Sequence, residues 1–557
     1  MENLFKNYLD NNSEIEESVD IKDFDVLSLT KRSRYTDEIV ESAMNNIVVP
    51  FPNFTSFKLI ETKDWDTVDD KYGDSYQLYI HSLRFVNELL TTYDSSKDVK
   101  YIDKARDYIE NWIEFTTNNI GSNMVWYDHP TAQRIQVIIY YLYLAKDVHE
   151  INENQYANIL KYHSQFLAED KNYRRNNHGL MMDRSLMIFG NVLNDDAIFN
   201  IGYYRSIDTF WHSYSYTGLH LENSPEYHNM VTNMYIELQK YLRNSGKTYG
   251  KTIVALLNRA SILKNIFTKP NKIIPSIGDS GNGVVKINKN YENFIDYAAG
   301  LSIIQEERNE YFLTFISGYA STTHKHIDDL SFNLFYKGKD FFVDPGKFSY
   351  SKHPYRSYVK SFKGHSGVFI NHTNYKIDDD NRFRKKVKFD YHFENENYFL
   401  VKGTNNSYDE GSLSRTILYL KQHQVTILVD EVTAYEDISV LHNFNLHHKV
   451  ETIKLNNSSY KLVNGNESLI LTNHNNIAFD RVIGDKENEP YKAINSVVFN
   501  EVVETTQLRN NLKYNTNESP VNIFSIVDGQ VDIPIEVHRE NRTLYVACDD
   551  KKYTINF

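Results

Sequence analysis

The hydrophobic period of the chain changes once along its length, and that change limits the folds open to it. From the N-terminus to about residue 290, apolar side chains recur at helical spacing. Tyr79, Leu83, Val86 and Leu90 share one helical face, and Ile102, Ala105, Ile109 and Trp112 share another. Thr131 to Ala145 is apolar nearly all round, which predicts a buried helix. Further helical patterns cover about 151–168, 178–192, 195–213, 226–245 and 250–267. Helices of similar length on short loops predict helical hairpins packed side by side. After about residue 310 the period is lost, and short β-rich runs take over. They are Tyr311–Ile316, Leu330–Tyr336, Tyr398–Lys402, Arg415–Leu420, Val425–Val429, Val440–Leu446, Ile523–Val527 and Leu544–Ala547. The expected class is therefore multidomain α+β, with a helical domain over 1–290 and an antiparallel β-sandwich domain over 291–557. At 557 residues the chain is too long for a single core.

Composition narrows the partners. A net charge of −13 excludes a nucleic-acid binder in the ordinary sense, although a local basic cleft can still hold a polyanion. The 42 tyrosines supply flat apolar area with a polar tip, suited to stacking on sugar rings as well as to packing. One cysteine, Cys548, leaves no intrachain disulfide. The first residues lack a basic start and an apolar core. As the sequence stands it reads as cytoplasmic, or as secreted or periplasmic if a signal has been removed. No apolar run of about 18 residues predicts a membrane span.

Three constellations carry chemistry. Asn176-Asn-His-Gly179 opens a helix, where Asn177 could cap and leave His178 at the positive end; a cap plus a surface histidine is the plainer alternative. In His220-Leu-Glu-Asn-Ser-Pro-Glu-Tyr-His228, Ser224-Pro225 starts a helix and gathers Glu222, Tyr227 and His228 at its N-terminus. That position favours an ionised phenol. The third stretch is Ser321 to Tyr350, read as a β-hairpin with His324 and His326 at its entrance and Asp344-Pro-Gly at its exit. On a strand the two histidines would point the same way. With Asp344 and His365 they suit proton transfer or a three-ligand zinc site, against the alternative of interface histidines in hydrogen bonds.

Together these segments resemble the heparinase II/III-like polysaccharide lyases. The resemblance rests on NNHG at 176–179, ENSPEYH at 222–228, PSIGD at 275–279, the run from His324 to Gly346, and the histidine of GHSGVFIN at 365. It implies an incomplete (α/α) toroid followed by antiparallel β-sheets, and a β-elimination on an anionic, uronate-containing polysaccharide such as a glycosaminoglycan, a capsule or an exopolysaccharide. Asn177 and His178 match the family pair that neutralises the sugar carboxylate. Tyr227 and His324 match its acid–base residues. His326, Asp344 and His365 match positions where some members bind zinc, here expected to pin the histidine-bearing hairpin. Arg134 resembles a cleft position, and Glu222, Tyr350, His353 and Arg356 are further substrate-binding candidates. No organic cofactor is implied, and oligomeric state is left open. A uronyl C5-epimerase shares the first proton abstraction, and a non-catalytic carbohydrate-binding or capsule-assembly protein on the same fold is the remaining alternative.

Overall fold

The structure is a computed structural model that describes residues 3–12, 18–26, 32–350, 352–372, 375–549 and 551–556. Two compact units interleave along the chain. One holds Met1–Ser213 and Met234–Val254, and the other Tyr214–Asn233 and Ala255–Phe557. Among the described residues no helix is long and apolar enough to cross a membrane.

The first unit is helical, in the manner of an incomplete (α/α) toroid. Helices Arg84–Ser96, Val99–Asn118, Asp128–Ala145, Glu153–Ala168, Asn177–Val192 and Asp196–Ser213 follow one another on short loops and pack pairwise. Asp128–Ala145 buries nearly every side chain, as its uniformly apolar sequence predicts. Val99–Asn118 instead buries one stripe, with Ile102, Ala105, Ile109 and Trp112 inward. The chain has four tryptophans, and Trp65, Trp112, Trp126 and Trp211 all lie in this unit.

The second unit is built from antiparallel sheets. A five-stranded meander runs Phe294–Asp296, Leu301–Glu306, Tyr311–Ile316, Ser331–Tyr336, Lys339–Phe342. Its side chains divide by strand alternation. Leu313, Phe315, Phe332, Leu334 and Tyr336 enter one core, shared with Phe444 and Phe524. Phe312, Ile316 and Phe335 enter another, shared with Leu263, Ile266 and Phe267 of the helix Lys251–Phe267. That second core also takes in Leu219 and Ile277, and explains why residues 214–233 and 255–290 group with the β-rich half. The helix Lys251–Phe267 ends at Phe267 and the meander begins at Phe294. An eight-stranded sheet carries Val425–Ala434 paired with Gly411–Leu420, and a four-stranded sheet carries Ile438–Asn445. Where they meet, Asp430 accepts two bonds from Arg415 at 2.6 and 2.7 Å and faces His442 Nδ1 at 2.8 Å, all fully buried.

Candidate active site

The segment 321–330 is a loop and not a strand entrance; pairing starts at Ser331. His324 sits in the left-handed region, φ +57°, so strand alternation does not set where it and His326 point. A carboxylate does. His324 Nδ1 lies 2.8 Å from Asp279 Oδ2, and His326 Nε2 lies 2.9 Å from Asp279 Oδ1. Asp279 ends the loop 275–279, which comes very close to its neighbours at Gly278. Gly278 has φ +54°, and a Cβ there would sit 2.4 Å from the Asn223 carbonyl and 2.7 Å from that of His324. Only glycine fits this crossing.

Tyr227 occupies the first turn of the helix Pro225–Asn244, with proline at the first position as the sequence predicts. Its ring stacks on His324 with centroids 3.8 Å apart, and its hydroxyl is 3.1 Å from that of Tyr350. The turn is fastened to the Asp279 loop. The Ser224 and Ser280 hydroxyls are 2.8 Å apart, Gly281 N donates to Glu226 Oε2 at 2.6 Å, and Lys347 Nζ donates to the same carboxylate at 2.9 Å. Asn223 Nδ2 donates to the carbonyls of Ser321 and Thr323, holding the histidine loop from the other side. Buried Glu222 puts Oε2 at 3.7 Å from His324 Nε2. The helix N-terminus does not favour an ionised phenol here: burial pushes Tyr227 above its ordinary value, against the hydrogen bond with Tyr350, and the carboxylates of Asp279, Glu226 and Glu222 add smaller upward pushes. His228 is structural, buried and bonded to the Ala260 carbonyl at 2.9 Å.

Arg356 does not offer a free fork. Its guanidinium donates to both oxygens of Asp279, at 2.5 and 2.8 Å, and to the Lys347 carbonyl at 2.8 Å. It also lies 5.5 Å over the Tyr350 ring, which is 52% exposed. His353 caps the helix Pro354–Lys360, accepting from Tyr355 N. Burial opposes charge on Asp279, but the bonds from His324, His326 and Arg356 outweigh it and hold the carboxyl well below the usual carboxylate range.

In the helical unit, Asn177 is the first helical residue and not the cap. Asn176 caps, accepting from the backbone of His178 at 3.0 Å and Gly179 at 3.1 Å, because its extended backbone aims Oδ1 back at those amides. His178 keeps 30% side-chain exposure and sets Nδ1 at 3.2 Å from buried Asp128. The His129 ring lies 5.0 Å from that of His178, and burial, then His178, lowers His129 to about 3. Arg134 is buried completely, so it lines no cleft. Its guanidinium stacks on Trp112 and Trp126 and donates to His163 and to the His81 and Val125 carbonyls. It faces inward because its helix is buried all round.

Beneath the histidine loop, Asp328, Asp344 and His365 bring ligand atoms within 4.8 Å of one another, all buried. This group could hold a metal ion. His326, expected as a ligand beside Asp344 and His365, is not in it, and Asp328 is. The reason is Asp279, which takes His326 Nε2. The other ring nitrogen, His326 Nδ1, is buried with no hydrogen-bond partner, and the ring lies 5.6 Å from that of His365. Two carboxylates and an imidazole fit a divalent cation such as zinc. His365 also contacts Asp344 at 3.1 Å and the Val359 carbonyl at 3.1 Å; despite burial, Asp344 raises it above its ordinary value.

Comparison with known families settles where such a chain belongs. The model of the heparinase II/III N-terminus matches residues 2–301, and that of the heparinase II/III-like C-terminal region matches 297–518. The chain belongs to the heparinase II/III family of polysaccharide lyases. No curated protein sequence matches this family member. Among solved structures, it resembles heparinase III at 16% identity and TM-score 0.77, over 99% of this chain and 95% of that one. It resembles the heparan sulfate lyase HepC from Pedobacter heparinus at 15% identity and TM-score 0.70, over 100% and 94%. It also resembles the Streptomyces coelicolor chondroitin AC lyase, solved with chondroitin sulphate, at 9% identity and TM-score 0.57, over 93% and 84%. These likenesses show the shared fold. One residue that joins the heparinase-family site, Asp279, was not singled out from the sequence, although it stands inside a motif that was, PSIGD. The strand assumption hid it, since it sought the histidines' carboxylate partner on the hairpin.

Proposed function

We propose that this heparinase-family protein cleaves a uronate-containing polysaccharide by β-elimination. The observation that supports this best is the stack of Tyr227 on His324, with His324 Nδ1 against Asp279. An imidazole anchored at one nitrogen offers the other as a base. His324 takes the C5 proton next to the sugar carboxylate. Tyr227, kept protonated by burial and by its acidic neighbours, donates to the departing O4. Loss of the C5 proton places a second negative charge beside the carboxylate, so that carboxylate must meet hydrogen-bond donors. Asn177 and His178 supply them, with His178 set by Asp128. Exposed Tyr350 offers a ring and a hydroxyl to the sugar.

Asp328, Asp344 and His365 would hold the cation, zinc by preference. Its charge would tie the histidine loop to the exit of the hairpin, and the proton transfers belong to His324 and Tyr227.

Hyaluronan, heparosan, chondroitin, alginate and a bacterial capsule are the polymers to screen. The expected outcome on one of them is rising ultraviolet absorbance from the new C4–C5 double bond. Solvent exchange at C5 without a double bond would make the protein an epimerase, and neither change on any polymer would defeat the reading.

A further inference from the structure

Asp279 has more partners than any single role requires. Oδ2 faces His324 Nδ1 and Arg356 at 2.8 Å each. Oδ1 faces His326 Nε2 at 2.9 Å and Arg356 at 2.5 Å. A carboxylate has about four acceptor sites, and here all four are taken. Turning it would break several of these bonds at once. The chain on either side is held as well, by Gly278 packed against two carbonyls and by Ser280 bonded to Ser224 and to the Glu226 amide.

An ionised carboxylate only accepts, so each histidine nitrogen that faces it must carry a hydrogen. For His324 that nitrogen is Nδ1, which leaves the lone pair of the neutral ring on Nε2. For His326 it is Nε2, which leaves the lone pair on Nδ1, the atom that is buried and without a partner. We propose that Asp279 is a positioning residue that sets these two rings in opposite tautomers. One lone pair is directed to the acid–base pair with Tyr227, the other toward the buried Asp328–Asp344–His365 group. Arg356 then helps to keep Asp279 ionised and unable to rotate, so the two halves of the site are aligned by one carboxylate. The catalytic consequence rests on the lyase reading; the tautomers do not.

The test is nitrogen-15 NMR of histidine-labelled full-length protein, at about pH 8.5 so that ordinary imidazoles are neutral. The two rings are assigned by the signals lost in His324→Gln and His326→Gln. The expected result is a hydrogen on Nδ1 of His324 and on Nε2 of His326. The reverse arrangement in either ring of the wild-type protein overturns the proposal, whatever the variants do. Asp279→Asn should then free the His324 tautomer and lower kcat by about 10²–10⁴-fold, as for loss of a positioned proton-transfer group. A change in KM below about threefold would separate this from lost substrate binding. An Asp279→Asn protein that folds, keeps both tautomers and turns over normally overturns it as well. Opposite tautomers in a protein inactive on every polymer would support this assignment and count against the lyase reading.

Discussion

In the proposed reaction, Tyr227 and His324 divide two proton-transfer roles across one contact. The phenol is pushed up by burial and by the carboxylates around it, so it holds its proton at neutral pH. The imidazole is anchored through Nδ1 and lies flat against that phenol. Tyr227→Phe should therefore keep the stack and the fold while kcat falls by about 10²–10⁴-fold, measured by product absorbance with an unchanged melting curve as control. Asp344→Asn tests the buried group. It should lose bound cation by elemental analysis and melt earlier; unchanged cation content would remove Asp344 from the ligands. At this scale residue types were legible in the sequence and partners were not. Tyr227, His324, Asp344 and His365 stand out as chemistry in a motif, and Tyr227 and His324 do meet. Asn176 took the cap instead of Asn177 because capping depends on backbone angle, which neighbouring asparagines do not reveal. Arg134 turned inward because two tryptophan faces and three acceptors can satisfy a guanidinium in place of a carboxylate.

Elements were read more accurately than their ends. Helix Pro225–Asn244, the buried helix Asp128–Ala145 and the strands Tyr311–Ile316 and Ser331–Tyr336 all follow from apolar period and turn residues. The segment between strands, 321–330, has no period of its own, and its shape comes from Asp279, Asn223 and Lys325. Lys325 is buried and donates to Asp328 and to Asp329, the latter at 3.1 Å. The site thus depends on how the loop 275–281 meets the first turn of a helix. Gly278→Ala should disturb both, since the new Cβ needs space held by two backbone carbonyls and a φ that alanine adopts at a cost. A loss of about 1–3 kcal/mol is expected from the strained backbone alone. It should appear as an earlier thermal transition together with reduced activity. A variant as stable and active as the parent would show that the loop can move aside.

Across the whole molecule, the α-then-β order was legible because each half keeps its own hydrophobic period. The interleaving of the compact units was not, since it follows from the packing of Leu219, Ile277 and Phe267 in one core. The β-rich unit has its own dependence on acid. Asp430 is buried, which alone would raise its carboxyl, but Arg415 and His442 bring it down from 3.8 to about 2. A carboxyl with a lowered folded value adds stability that is complete above the unfolded value. That contribution, on the order of 2 kcal/mol, should fade as pH falls from about 4 to about 2. Asp430→Asn should flatten that part of the acid transition, and should cost about 3–5 kcal/mol at neutral pH by leaving Arg415 without its counter-charge. Denaturation followed by circular dichroism across pH 2–7 checks both.

The placement of the four tryptophans gives that experiment a second channel. Indole emission arises only from the helical unit, two of its sources pressed against a buried guanidinium, while the sheets are spectroscopically dark at that wavelength. A fluorescence melt therefore watches the helical unit alone, while a dichroism melt of the same sample watches the backbone of both units. Their separation or coincidence measures directly whether the halves unravel one after the other or as a single cooperative body.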